Sequence, residues 1–236
     1  MTNSTVLEIN NVSINVVRKD IKNIHLAVYP PDANVRISAP KRYDNETIKL
    51  FAISKWGWIK DSIEVIKNQN RIPPKEYISG ESHYLFGKRY MLKVIQGNKS
   101  SINISGMKHI IMTVRNNATR NAKKLLMENW YRQQLRTKLE AIIPLWEQKT
   151  GLKVNSWQIK KMKTHWGTCN ISKKIIYLNL ELAKRKPKEI EYVVLHELSH
   201  IIERTHNKDF VSHLQKYMPN WELHRRDLNE FTFEDR

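Results

Sequence analysis

The sequence predicts an α+β protein: a β-rich N-terminal region, residues 1–115, carrying one helix over about 45–67, and a second domain, residues 116–236, of helices around a small sheet. Three observations carry this. Through much of the first half, apolar residues alternate with polar ones at the two-residue period of a half-buried strand. They recur at helical spacing over about 45–67, over about 118–149 and again from Pro187. Seven Trp and 40% hydrophobic residues in 236 supply enough apolar surface for a folded core, which argues against a disordered chain.

The elements follow in order. Val12, Ile14 and Val16 mark a strand, Ile24, Leu26 and Val28 a second, and Val35 and Ile37 a third. Pro30-Pro31-Asp32-Ala33-Asn34 is a turn signal between the last two. Ile48, Phe51, Ala52, Trp56, Ile59, Ile63 and Ile66 form one helical stripe, with Asp44 or Asn45 as its cap. Asn68 to Pro74 reads as a linker. Strands resume at Tyr84–Phe86 and Tyr90–Ile95, and Ile102–Ile104 with Ile110–Val114 forms a hairpin around Gly106. A long helix covers about Ala118 to Lys149 through Leu125, Leu126, Trp130, Leu135, Leu139, Ile142 and Ile143, with Pro144 expected to kink or end it. Short strands follow over Val154–Met162, Trp166–Cys169 and Ile175–Leu178. Pro187 opens a helix whose Glu189 and Glu191 suit the positive end of its dipole. A further helix spans Lys208–Tyr217, ended by Pro219. No internal repeat is visible.

The formal net charge is +18, which points to a polyanionic partner, DNA or RNA first and an anionic membrane surface second. The charge is concentrated. Residues 120–189 hold 17 Lys and Arg against five Glu and no Asp, a net of +12. Arg120, Lys123, Lys124, Arg132, Arg136 and Lys138 lie along the long helix, and Lys160, Lys161, Lys163, Lys173 and Lys174 flank the strands. This is either a solvated face or a nucleic-acid surface. The single cysteine, Cys169, allows no intrachain disulfide and fits a reducing cytoplasm. The N-terminus has no basic segment followed by an apolar block, and no apolar run is long enough to span a bilayer. A secreted or lysosomal hydrolase is disfavoured.

Residues 191–206, EYVVLHELSHIIERTH, set two histidines and a glutamate inside an apolar run. His196-Glu197-Leu198-Ser199-His200 is HExxH. Residues four apart on a helix share a face, so both imidazoles can reach one metal ion. The glutamate sits beside that ion without having to ligate it, placed to take a proton from water. Zn²⁺ suits imidazole nitrogen. Buried without partners, the three side chains would cost several kcal/mol, and a metal removes that cost. A catalytic zinc commonly takes three protein ligands. His206 is the best third, beyond the end of the helix where the chain can turn back. Its rivals are Glu203, which points too far along the helix, and His213 and His224, which sit in later helices and could instead stabilise an oxyanion.

The C-terminal half resembles the YgjP-like zinc metallopeptidases, relatives of the SprT-like proteases among the gluzincin-type zincins. The resemblance rests on Met162 to Asn170, Ile176-Tyr177-Leu178-Asn179, Tyr192 to His200, His206 and Phe210. In the N-terminal half, Val35-Arg36-Ile37-Ser38-Ala39-Pro40, Lys55-Trp56-Gly57-Trp58-Ile59, and Gly80-Glu81 with Leu85 to Tyr90 are similar too. His165 stands where the family commonly has arginine, Thr168 where serine is common, and Thr205 where asparagine or serine precedes the histidine. The resemblance implies a zincin-like core, an HExxH helix with a small antiparallel sheet. It implies one zinc held by His196, His200 and His206, with Glu197 as general base and a protein or peptide as substrate. It also places Trp166, Gly167, Thr168, Cys169 and Asn170 near the cleft as a strand that can pair with an extended substrate. Cys169 is then a small buried hydrophobe or a thiolate capping the zinc. His213, Tyr217 and His224 are the candidate oxyanion donors. Two other functions stay open: a nucleic-acid-binding protein with a structural zinc, and another metal-dependent hydrolase. A protease acting on proteins bound to DNA would join the first of these to the peptidase reading.

Overall fold

A computed structural model of the protein describes residues 4–29, 32–68 and 75–229. The turn at Pro30 and Pro31 and most of the linker before residue 75 lie outside the described residues. Those up to 68 form one compact unit and those from 75 onward another.

In the first unit, strands β1 (Ser4–Ile9), β2 (Val12–Lys19), β3 (His25–Tyr29) and β4 (Asn34–Pro40) form a sheet in the order β1-β2-β4-β3. β1, which the alternation did not reveal, joins β2 through Asn10 and Asn11, both at positive φ as a two-residue hairpin turn requires. β2 and β4 run parallel, β3 and β4 antiparallel. The expected single helix over about 45–67 is two, α1 (Asn45–Ser54) and α2 (Trp56–Asn68), divided at Lys55. Asp44 caps α1 by accepting from the Thr47 amide at 2.8 Å. Ile14, Val16, Val35, Ile37, Ile48, Ala52 and Ile59 close this unit's own core.

The second unit contains more than the expected domain. β5 (Ser82–Leu85), β6 (Lys88–Gln96), β7 (Ser101–Ser105) and β8 (His109–Val114) form a sheet in the order β5-β6-β8-β7, again with the inner pair parallel. Its Leu85, Leu92, Ile110 and Met112 share one core with the helices that follow, so the division falls near residue 74 rather than 115. Backbone bonds fix the join. In the β5–β6 turn the Phe86 amide donates to the Ala183 carbonyl at 2.8 Å, and the Gly87 amide to Lys184 at 3.2 Å. Gly87 is at φ +79, and a Cβ there would meet the Lys186 side chain at 2.7 Å.

Helix α3 (Arg120–Thr150) is capped by Thr119 and ended by Gly151 in the left-handed conformation, and it runs through Pro144 as one element. Its buried stripe is Met127, Trp130, Tyr131, Leu135, Leu139, Ile142, Ile143 and Trp146, and Leu125 lies on the exposed side. A three-stranded sheet follows, β9 (Ser156–Lys160), β10 (Gly167–Asn170) and β11 (Ile175–Asn179), in the order β10-β11-β9. It is mixed rather than antiparallel. The β10–β11 hairpin takes one side of β11, and β9 lies parallel on the other. A 3-10 turn (Leu180–Lys184) leads to α4 (Pro187–Ser199), which carries HExxH, then α5 (Lys208–Tyr217) and α6 (Trp221–Asn229).

Asn179, fully buried, fixes the loop that delivers β10. Its Nδ2 donates to the carbonyls of Met162 (2.9 Å) and His165 (2.8 Å), and its Oδ1 accepts from the Glu181 amide (3.2 Å). Replacing it with leucine orphans buried backbone groups. We expect Asn179→Leu to lower unfolding free energy by about 3 kcal/mol. In hydrogen exchange the Glu181 amide should exchange faster; native protection there would refute this account.

Candidate metal centre

α4 is anchored at its start by Glu189, which is fully buried, takes a 2.7 Å bond from Arg185 and accepts from the Lys186 amide in a capping box. His196 and Glu197 lie in its last turn, and His200, still right-handed at φ −65°, closes it. The chain then turns so that His206 folds back over the helix end. Asn207 fixes the return by capping α5, its side chain accepting from the Phe210 amide at 3.0 Å.

The result is a cluster of three imidazoles. His206 Nε2 lies 3.1 Å from His196 Nε2 and 3.2 Å from His200 Nε2, and the three form the metal-capable group among the described residues. Hydrogen bonding does not account for it. His200 Nδ1 lies 3.0 Å from the Glu203 carbonyl and must carry the proton to bond it, which leaves Nε2 bare in the neutral ring. Burial, then the neighbouring His200 and His206, hold the His196 pKa down to about 3, so that ring is neutral. At most one His206 proton can serve two neighbours. The spacing instead fits a shared cation, because imidazole nitrogens about 2.0–2.1 Å from a tetrahedral zinc lie roughly 3.3 Å apart. The donor set fits zinc, and the Glu203 carbonyl is the kind of second partner that orients a ligating histidine.

Phe210 forms the floor. Its buried ring is 5.0, 4.8 and 4.8 Å from the rings of His196, His200 and His206. Tyr192, one turn before His196, packs against that ring at 5.8 Å and is stacked in turn on Trp221 at 6.3 Å. Burial pushes its phenol up to about 12, with Arg225 pulling the other way.

Glu197 is buried beside the cluster, and burial pushes its carboxyl up to about 8. Its Oε2 has no hydrogen-bond partner among the described residues. It fits because position 167 is glycine: a Cβ there would stand 2.5 Å from Oε1 and 2.8 Å from Cδ. Strand β10 therefore lies directly on the glutamate. β10 is also an edge strand. The Asn179 amide donates to the Trp166 carbonyl at 2.9 Å, and the register continues with Thr168 opposite Tyr177 and Asn170 opposite Ile175. Bonded pairs alternate in such a ladder, so Gly167 and Cys169 turn their N–H and C=O groups to the open edge. Burial, then the Glu197 charge, push the Cys169 thiol up to about 11, which keeps it protonated.

The remaining sequence candidates are distributed as follows. Glu203 is no ligand in this arrangement: its carboxylate accepts from the Thr205 amide and hydroxyl, both at 3.2 Å. His213 Nδ1 is 2.9 Å from the hydroxyl of Ser199, which itself donates to the Leu195 carbonyl, so α5 is tied to α4. Tyr217 packs on His213 at 4.9 Å, and His224 lies on α6, outside the triad. Ser199, Phe210 and Tyr192 support the site; the family resemblance included all three, and helical spacing places Tyr192 four residues before His196 and Ser199 three after it, whereas periodicity alone did not mark Phe210.

Much of the basic segment is used internally. Arg120 bonds the Lys75 carbonyl and Glu76, and Lys123 bonds the Tyr77 carbonyl. Arg132 bonds the Ile159 carbonyl at 2.7 Å, Arg136 stacks on Trp157, and Lys160 sits 3.5 Å over the Tyr177 ring. Lys161 pairs with Glu128. Lys124 lines a separate polar cavity, and Lys163 is exposed on the loop before β10.

The model of the YgjP-like metallopeptidase domain matches residues 22–231, and the chain belongs to that family. Among solved structures, the metallopeptidase zymogen abylysin of Pyrococcus abyssi is 18% identical, with a TM-score of 0.36 over 38% of this chain and 90% of that one. The zymogen jannalysin of Methanocaldococcus jannaschii is also 18% identical, with a TM-score of 0.36 over 39% and 94%. No curated protein matches.

The Glu197 environment makes a pH prediction for protein stripped of metal. A carboxyl raised from 4.5 to about 8 in the folded state favours folding while protonated, so its contribution falls as pH rises through that window. Metal-free Glu197→Gln should match metal-free wild type near pH 4.5 and melt progressively higher than it toward pH 8. Parallel melting curves across that range would show that Glu197 is not held in this environment.

Proposed function

We propose that this member of the YgjP-like family is a zinc-dependent peptidase in which His196, His200 and His206 hold the ion and Glu197 is the general base. The observation that carries this reading is the convergence of three imidazole nitrogens beside a buried carboxyl with an unpartnered oxygen. Zinc held by these histidines would supply Lewis acidity toward water and the scissile carbonyl.

The chain's own groups supply the rest. Glu197, with its affinity for a proton raised by burial, takes the proton from water and returns it to the leaving amine. The open edge of β10 holds the substrate extended, the Gly167 and Cys169 backbone groups bonding it as an added strand. Gly167 also brings that strand against Glu197, so the bound peptide and the base share one wall. The oxyanion donor is sought among Tyr217, His213 and His224, with the His213 Nδ1 already engaged by Ser199.

The test is zinc per chain by elemental analysis, with peptidase assays on the same preparations. We expect about one zinc in wild type and in Glu197→Gln, and its loss in His206→Ala. Glu197→Gln should lose at least roughly 10²-fold in activity. No zinc uptake by wild type, or full activity in Glu197→Gln, would overturn the reading.

A second reading, action on proteins bound to nucleic acid, is favoured by the net +12 over residues 120–189. It predicts DNA binding that weakens steeply between about 50 and 200 mM salt. Absence of binding at low salt would remove it.

A further inference from the structure

Beyond Gly167, the far end of β10 opens on a cavity of about 570 Å³ whose walls include Thr168, Asn170, Ser172, Tyr177 and Arg204. Arg204 comes from the segment between the second and third histidines, and β10 also packs on Glu197 through Gly167, so the cavity shares two chain segments with the metal centre. Its polar groups are mostly donors. The Asn170 Oδ1 is occupied, accepting from the Ser172 hydroxyl at 2.9 Å and the Lys173 amide at 3.0 Å, which leaves its Nδ2 as the free end. The Arg204 guanidinium is exposed, with no hydrogen bond or ion pair among the described residues. Lys160 holds a second positive charge 3.5 Å over the Tyr177 ring in the wall, and Lys173 and Lys174 sit in the adjoining turn. No carboxylate lines the cavity among the described residues. Free donors and positive charge without an acidic counterpart select an anionic group, and a guanidinium matches a carboxylate in both charge and plane.

We propose that this cavity is a subsite for an acidic substrate side chain, Asp or Glu, with Arg204 as its counter-charge. It lies about three residues from the bond that is cut, because Gly167 and Asn170 are three residues, roughly 10 Å, apart along the strand. The subsite rests on the peptidase reading, since it takes β10 as the substrate's partner strand.

The test separates the two. Two pools of fluorescent ten-residue peptides, acetylated and amidated so that no terminal carboxylate is present, are random over the residues other than Asp and Glu except for one fixed Glu or one fixed Gln. Binding is measured by anisotropy to zinc-loaded Glu197→Gln at near-physiological salt. We expect the Glu pool to bind roughly tenfold more tightly than the Gln pool. Arg204→Ala in the same background should erase the difference with zinc content unchanged. Arg204→Glu should favour a matched Lys pool, and Lys99→Ala, a change of the same charge at a distant exposed site, should leave the preference intact. Equal or absent binding of both pools, or a preference that survives Arg204→Ala, overturns the subsite. Cleavage of the same pools by wild type reads the peptidase function separately. An Arg204-dependent preference without cleavage would sink that function and keep an acidic binding site, whereas cleavage without preference would do the reverse.

Discussion

The structure around α4 turns on one electrostatic constraint: three imidazole nitrogens face one another about 3 Å apart, with too few protons to bond them together. Left alone, their lone pairs repel. The arrangement makes sense around a cation, and the surroundings hold the rings in place for it. Helical spacing aligns the first two, the Asn207 cap returns the third, and the Phe210 ring touches all three from below. The Ser199–His213 contact ties α5, which carries Phe210, to the helix that carries His196 and His200.

A second constraint is steric. Glu197 and β10 occupy adjoining space that only a residue without a side chain leaves open. The Glu197 carboxyl is thereby kept dry on one side while its Oε2 stays without a partner among the described residues. Burial that would be a defect in an inert core becomes, beside three imidazoles that could hold a metal, a raised proton affinity suited to moving a proton near neutral pH.

What the sequence revealed and what it hid divide along the same physical line. The two histidines four residues apart, and the glutamate between them, were legible because a helix makes that neighbourhood local. His206 was reachable because its turn is short. The limit of the first unit was not legible, because core membership is decided by long-range contacts: Leu92 and Ile110 look like any strand residues until they are found packed with α3 and α4. Nor did the basic run announce that Arg132 and Lys160 serve a carbonyl and an aromatic ring within the fold. Charge in a sequence does not say what lies opposite it. Likewise the periodicity of 45–67 carries across Lys55, where the backbone nevertheless breaks the helix in two.

One strand order occurs twice in this chain, β1-β2-β4-β3 and β5-β6-β8-β7, each with two outer antiparallel pairs about a parallel inner one. The second copy is welded through Phe86 and Gly87 to the turn that leads into α4; the first closes a core of its own. The same strand order thus meets two different demands: one copy fixes the turn that leads into the histidine-bearing helix, while the other has only its own interior to close.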